Sequence, residues 1–183
     1  MFTKNWYAFL NAAAYGFGST KVVITDYAGL QNYAYCESGG GYKTPGYYVF
    51  PQSSYSVALP LEKGNRSDPY IRIGSGTTPA TLSDYSLEAP ITNNFSVLEN
   101  KKTIGVDDDG YWVTYKYVIS NVGDNDMVIG EIGYFGYVLY NASAGSFYLI
   151  DRTVLDTPIT IPAGGTGTVT YTLKFKVPAI PTE

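Results

Sequence analysis

Apolar and polar residues alternate most regularly near the end of the chain. Val169, Tyr171, Leu173, Phe175 and Val177 interleave with Thr168, Thr170, Thr172, Lys174 and Lys176. Successive side chains of a strand point to opposite faces, so this period of two predicts a strand with one apolar face. Its register is firmly set, because a slip of one residue turns the whole apolar set outward. Tyr111–Ser120 repeats the pattern, with Val113, Tyr115, Tyr117 and Ile119 on one side and Thr114, Lys116 and Ser120 on the other. Phe95–Val106 reads as its hairpin partner, joined through Asp107-Asp108-Asp109-Gly110. Asp-Gly supplies the positive φ that tight hairpin turns require.

Further strands are predicted at Lys21–Thr25, Ile71–Ile73, Met127–Val138 and Phe147–Leu155, with a short edge at Pro158–Pro162. Glycines at 130, 133 and 136 mark a bulge or a close backbone approach inside Met127–Val138. Turn-rich loops are expected at Gly74–Pro79, Asn121–Asp126 and Ala163-Gly164-Gly165.

The one helical signal lies in residues 4–15. Trp6, Phe9, Leu10 and Ala13 fall three and four apart, and Gly16-Phe17-Gly18 stops the pattern. So short a helix is marginal alone and must dock, either on the chain's own sheet or on a neighbouring subunit. From Ala28 to Pro60 the pattern breaks down. Gly39-Gly40-Gly41, Pro45-Gly46 and Pro51 leave room only for loops and short strands.

These elements predict a mainly β fold: an antiparallel β-sandwich or jelly-roll-like domain, a short N-terminal helix and an irregular Tyr/Gly-rich arm. The expected division is an arm over residues 1–60 and a β domain over 61–183, with the sandwich itself in 91–178. The alternating half and the irregular half differ enough to expect that residues 1–60 supply much of the contact surface.

Composition narrows the function. The 183 residues carry 12 Lys and Arg against 16 Asp and Glu, a formal charge of −4. That balance argues against nucleic acid, which needs clustered cations to neutralise phosphates. Lys101-Lys102 is the only adjacent basic pair and reads as a solvated strand end. No apolar run approaches the roughly 20 residues of a membrane-spanning helix, so no membrane partner is expected. The start of the chain lacks the apolar stretch of a signal peptide, which predicts folding in a reducing cytoplasm.

Candidate chemistry is thin. Histidine is absent, which removes Ser-His-Asp and Cys-His catalysis and the common zinc sites. Cys36 is the single cysteine and reads as a small apolar residue rather than a nucleophile. Asp107–Asp109, with Asp124 and Asp126, are candidate calcium ligands, but the spacing of a calcium-binding loop is missing. Gly74-Ser75-Gly76 lacks the Gly-Lys-Ser/Thr ending of a phosphate loop. Glu62, Asp68, Asp84, Glu88, Glu99 and Glu131 are the carboxylates a glycosidase would draw on, yet no spacing pairs two of them in a cleft. Asp84 and Glu88 read as local turn residues. The expectation is a protein without catalysis, cofactor or metal.

The unusual feature is the aromatic load of 19 tyrosines and two tryptophans. Tyrosine joins an apolar ring to a hydroxyl that needs a partner, and it is enriched at interfaces. Subunit contact, padding of a thin core and ligand binding are the three readings. The interface candidates are Trp6, Phe9, Tyr33, Tyr35, Tyr42, Tyr47, Tyr48 and Tyr55.

Three segments carry a resemblance. Ile73-Gly74-Ser75-Gly76-Thr77-Thr78-Pro79 followed by Leu82–Ile91 resembles a segment, hGxGTTPxTxxDxxLExxI, common in structural proteins of tailed bacteriophages. Val128–Gly136 is similar to the ITEIGLFG strand of those proteins. Asp151–Leu155, Pro158–Gly164 and Val169–Leu173 resemble their RTVL, PITIPAG and VTYTI ending. The likeness covers roughly residues 71–176. Gly130 and Tyr134 depart from the pattern, and residues 1–60 match only loosely, through Lys4-Asn5-Trp6-Tyr7.

The resemblance implies a virion component, often one of phages that infect gut bacteria, made in the host cytoplasm. Its implied partners are copies of itself and other virion proteins, in the capsid, neck, tail or fibre attachment region. It brings no catalytic residues. The alternative is a carbohydrate-binding module for host surface glycans, with exposed tyrosines grouped near Asp or Asn.

Overall fold

The computed structural model describes residues 1–8, 22–34, 71–107, 110–139 and 145–176. They form one short helix, α1 (residues 4–8), and eight strands: β1 Val22–Thr25, β2 Gln31–Ala34, β3 Ile71–Gly74, β4 Phe95–Asp107, β5 Gly110–Asn121, β6 Met127–Leu139, β7 Gly145–Ile161 and β8 Thr166–Lys176. The chain is mainly β, as the alternation predicts. It has two antiparallel three-stranded sheets, ordered β3-β6-β7 and β4-β5-β8. Two compact units emerge, residues 1–91 with 129–158, and residues 92–128 with 159–183. The expected boundary at residue 60 lies outside the described residues.

In the first unit, residues 1–3 run along β7. Phe2 bridges Asp151, the Thr3 N–H donates to Ile150 O at 2.9 Å, and the Thr3 hydroxyl donates to Leu149 O at 2.6 Å. Helix α1 follows at once. Asn5 joins three pieces of chain: its Nδ2 donates to Thr25 O at 2.7 Å and Leu149 O at 3.3 Å, and its Oδ1 accepts from the Thr25 N–H at 2.9 Å. Trp6 stacks on Phe2 with ring centroids 5.2 Å apart. Of the two dockings open to the helix, residues 4–8 adopt the one on the chain's own sheet.

Strands β1 and β2 form a hairpin. Its turn is tied by Asp26 Oδ1, which accepts from the N–H groups of Ala28 and Leu30, and Gly29 takes the positive φ of 82°. β2 is one of the short strands expected between Ala28 and Pro60. β6 is the middle strand of its sheet and is buried on both faces from Ile129 to Gly136. A strand so enclosed has no room for side chains at every position. The space a Gly133 side chain would need is filled by Leu87, Phe135 and Leu149. Leu87, Phe135, Phe147 and Leu149 make up a core cluster.

The second unit follows the sequence pattern closely. Val113, Tyr115, Tyr117 and Ile119 of β5 are buried, as are Val169, Tyr171 and Leu173 of β8. The register sets Val113 against Leu173, Tyr115 against Tyr171 and Tyr117 against Val169, so apolar residues meet across the strands. On the other face the Thr114 and Thr172 hydroxyls share a hydrogen bond of 2.8 Å. β4 pairs with β5 down to Asp107 opposite Gly110, where Gly110 has φ 136°. Asn121, buried, closes the following loop by donating to Asn125 O and Ile161 O at 2.8 and 2.9 Å.

Two expectations are corrected. Phe147–Leu155 and Pro158–Pro162 are not separate elements, because β7 runs unbroken from Gly145 to Ile161. Proline is tolerated there because β7 ends its sheet's order and residues 156–160 are exposed. Lys101-Lys102 is not a strand end but lies in the middle of β4, where both side chains are exposed.

Candidate functional site

The first unit brings Asp84, Glu88, Glu131 and Arg152 together at one place. β3 ends at Gly74, and the chain enters an irregular loop, residues 75–90, which returns beside its own start. The Ser75 N–H donates to Ala89 O at 2.8 Å, the Ile91 N–H donates to Ile73 O at 2.9 Å, and Gly74 bridges Pro90. Such a loop offers many main-chain N–H groups and little apolar surface, so something polar must hold it.

Glu131 does so from the buried strand β6. Its side chain is 0% exposed. It accepts from the N–H groups of Gly76 at 3.3 Å, Glu88 at 3.2 Å and Ala89 at 2.8 Å. Arg152, on neighbouring β7, donates to it through Nε at 2.7 Å. The same guanidinium reaches Asp84 through Nη1 at 2.8 Å and Glu88 through Nη2 at 3.4 Å. One buried cation thus holds three carboxylates, two of them on the loop. A planar guanidinium suits this task because its donors spread in a fixed fork.

The loop's threonines complete the arrangement. Thr78 gives Glu88 its N–H at 2.9 Å and its hydroxyl at 2.7 Å. Thr81 does the same for Asp84, at 2.9 and 2.7 Å. Burial works to raise the Asp84 carboxyl, but the Thr81 donors and Arg152 outweigh it and hold the group below its ordinary value. The Thr78 hydroxyl, its N–H and Arg152 lower Glu88 likewise. Burial works to lower Arg152, and its bonds to Asp84 and Glu131 raise it above the usual guanidinium value. All of these shifts favour the charged forms that bind one another.

The glycines of Gly74-Ser75-Gly76 follow from this geometry and not from phosphate binding. A Cβ on Gly74 would stand 2.5 Å from Glu131 Oε1, and one on Gly76 would stand 2.6 Å from both Glu131 Oε1 and Glu88 Oε2. Gly130 has a similar reason, since its Cβ would stand 2.7 Å from Gly76 O. The loop lies too close to β6 for a side chain at that position.

No spacing in the sequence pairs these carboxylates, yet the fold brings three of them together around Arg152. Asp84, Glu88 and Glu131 converge, although 43 positions separate Glu88 from Glu131 and 21 separate Glu131 from Arg152. Asp84 does act as a turn residue, as expected, and pairs with Arg152 as well. Sequence spacing misses such a cluster because sheet pairing brings β3, β6 and β7 together. Chemically the arrangement is a clasp, in which each acid is engaged by Arg152 and by N–H or hydroxyl donors.

The other candidates are scattered. Trp6 is 9% exposed, so most of its surface is covered within its own chain. Tyr33 lies in β2, opposite Val23. Phe9, Tyr35, Tyr42, Tyr47, Tyr48 and Tyr55 lie outside the described residues, as do Cys36, Glu62, Asp68, Asp108 and Asp109. Tyr115, Tyr117, Tyr134, Tyr148 and Tyr171 are core residues, which fits the padding reading for the later strands. Glu99 pairs with Lys116 at 3.7 Å and Asp107 with Lys174 at 3.1 Å, both on the surface. Among the described residues no three acidic or thiol groups are placed to hold a metal ion, and no helix is long and apolar enough to cross a membrane.

No protein-family profile, no curated protein and no solved structure matches the chain.

Proposed function

We propose that this protein is a structural component of a bacteriophage particle, working through protein–protein contacts and not through catalysis. One observation carries the reading. The residues that mark the resemblance, Thr78, Asp84, Glu88, Glu131 and Arg152, make up a single clasp in this fold. Scattered coincidence gives no reason for likeness in three distant segments to fall on one network. A buried ion pair that fixes a loop suits a part that must keep its shape through assembly. Its partners on this reading are copies of itself and other virion proteins, and its location is the virion.

The test is composition. Purified particles from infected host cells are expected to contain the protein in a fixed copy number by quantitative mass spectrometry. A protein abundant in infected cells but missing from intact particles would overturn the reading.

A second reading, a module for host surface glycans, has one observation in its favour. The Tyr85 ring lies against Gly29, in the turn that carries Tyr27, and both tyrosines are near 45% exposed. A glycan array separates the two readings: binding that Tyr85→Ala abolishes favours the module, and a blank array rejects it.

A further inference from the structure

Strand β4 breaks the rule that β5 and β8 obey. It is the outer strand of the order β4-β5-β8, so among the described residues only one of its edges is paired. It has 13 residues, about 44 Å of strand at a rise of roughly 3.4 Å per residue. Leu98, Ile104 and Val106 are 62–65% exposed and Val97 is 39% exposed. A long edge with no strand beside it among the described residues, and with exposed aliphatic side chains, is a template for another strand.

We infer that the free edge of β4 pairs antiparallel with β4 of a second copy of this chain, about a two-fold axis at Asn100. The charges choose the partner and the register. In a two-fold antiparallel pair, residues equidistant from the axis stand opposite each other, and their charges attract or repel directly. An axis at Asn100 sets Glu99 opposite Lys101 of the second copy, twice. An axis at Lys101 or Lys102 sets lysine against lysine, and an axis at Glu99 sets carboxylate against carboxylate. An axis at Ile104 sets Lys101 opposite Asp107, but only about half of the strand then overlaps.

The bulge between Val97 and Glu99 fits the same axis. One extra residue moves Phe95 and Val97 onto the face that Asn100, Lys102 and Ile104 share, opposite Asn121 and Ile119 of β5. Counting past the bulge, Val97 meets the stem of Lys102, Ser96 meets Thr103 and Phe95 meets Ile104 of the second copy, so the last two pairs set polar against polar and apolar against apolar. The edge thus matches itself in charge at Glu99 and Lys101 and in hydrophobic character at Phe95 and Ile104.

The experiment uses the full chain. Analytical ultracentrifugation is expected to show a concentration-dependent dimer. Lys101→Glu sets carboxylate against carboxylate twice, and weakens the dimer by about tenfold or more. Glu99→Lys with Lys101→Glu restores it. In a Cys36→Ser background, Asn100→Cys is expected to form a disulfide-linked dimer on oxidation, because directly opposed strand positions lie within disulfide reach. Thr103→Cys, off the axis, is expected not to. A chain that stays monomeric at high concentration overturns the inference. So does an oligomer indifferent to Lys101→Glu, or one in which Asn100→Cys fails to link, because another partner or surface is then responsible. These outcomes are separate from particle composition, so a monomer that copurifies with particles rejects the β4 pairing and leaves the virion reading standing.

Discussion

In β5 from Val113 to Ile119 and in β8 from Val169 to Leu173 every second side chain is buried, and the apolar ones meet in three successive pairs, Val113 with Leu173, Tyr115 with Tyr171 and Tyr117 with Val169. The loop of residues 75–90 buries only Leu87 among its large apolar side chains, and is held instead by Glu131 and Arg152. The two regions reach order by opposite means. In the strands the stabilisation is spread over many similar contacts, so each one matters modestly. In the loop it is concentrated on two side chains, and one of them is a buried carboxylate. A buried charge that loses its partner is far worse off than a strand that loses a methyl group.

The largest effect should come from Arg152→Met, which leaves Glu131 buried without its cation. A loss of about 3–5 kcal/mol is expected in denaturant unfolding, with faster hydrogen exchange at the Gly76, Glu88 and Ala89 amides. Adding Glu131→Gln to that variant should recover about half of the loss, because the unpaired charge is gone while an acceptor remains. Failure of the double variant to improve on the single one would mean that shape, and not charge, holds the loop.

Acid should separate the regions next. Asp84 and Glu88 are both held below their ordinary values in the folded chain. A depressed carboxyl contributes stability that is full above the ordinary value of about 4. That contribution shrinks as pH falls below it and is gone once the folded value is passed. Limited proteolysis at falling pH should therefore cut residues 75–90 while β5 and β8 stay protected. Simultaneous loss of both regions would show that the clasp is no weaker than the strands.

Ile119→Val should cost only about 1 kcal/mol, the usual result of removing one buried methylene, measured by the same denaturant titration. Thr114→Val should fall within about 0.5 kcal/mol, since its bond to Thr172 lies on the exposed face. A large effect at either position would mean that the strands too depend on single contacts.

The difference also explains what could be read in advance. β5 and β8 were legible because alternation with a period of two is written residue by residue. The hairpin at Asp107–Gly110 was legible because Asp-Gly is local turn chemistry. β7 was read as two pieces because Pro158 looks like a break until its place at a sheet edge is known. The burial of both faces of β6 left only a hint, in its glycines. The clasp was hidden, since Asp84 and Glu88 each had a sufficient local explanation.

The sequence by itself determined the β class, the strands of the second unit, the placement of the main turns and the absence of histidine chemistry. These follow from neighbouring residues and from composition, which need no fold to be read. The tertiary structure alone decided that Glu131 would meet Arg152, that Gly74 and Gly76 must lack side chains, and that β4 would be the outer strand of its three-stranded sheet among the described residues. Each of those depends on which strands lie side by side. A period of two says that a strand has an inner face, but not which strand will lie next to it.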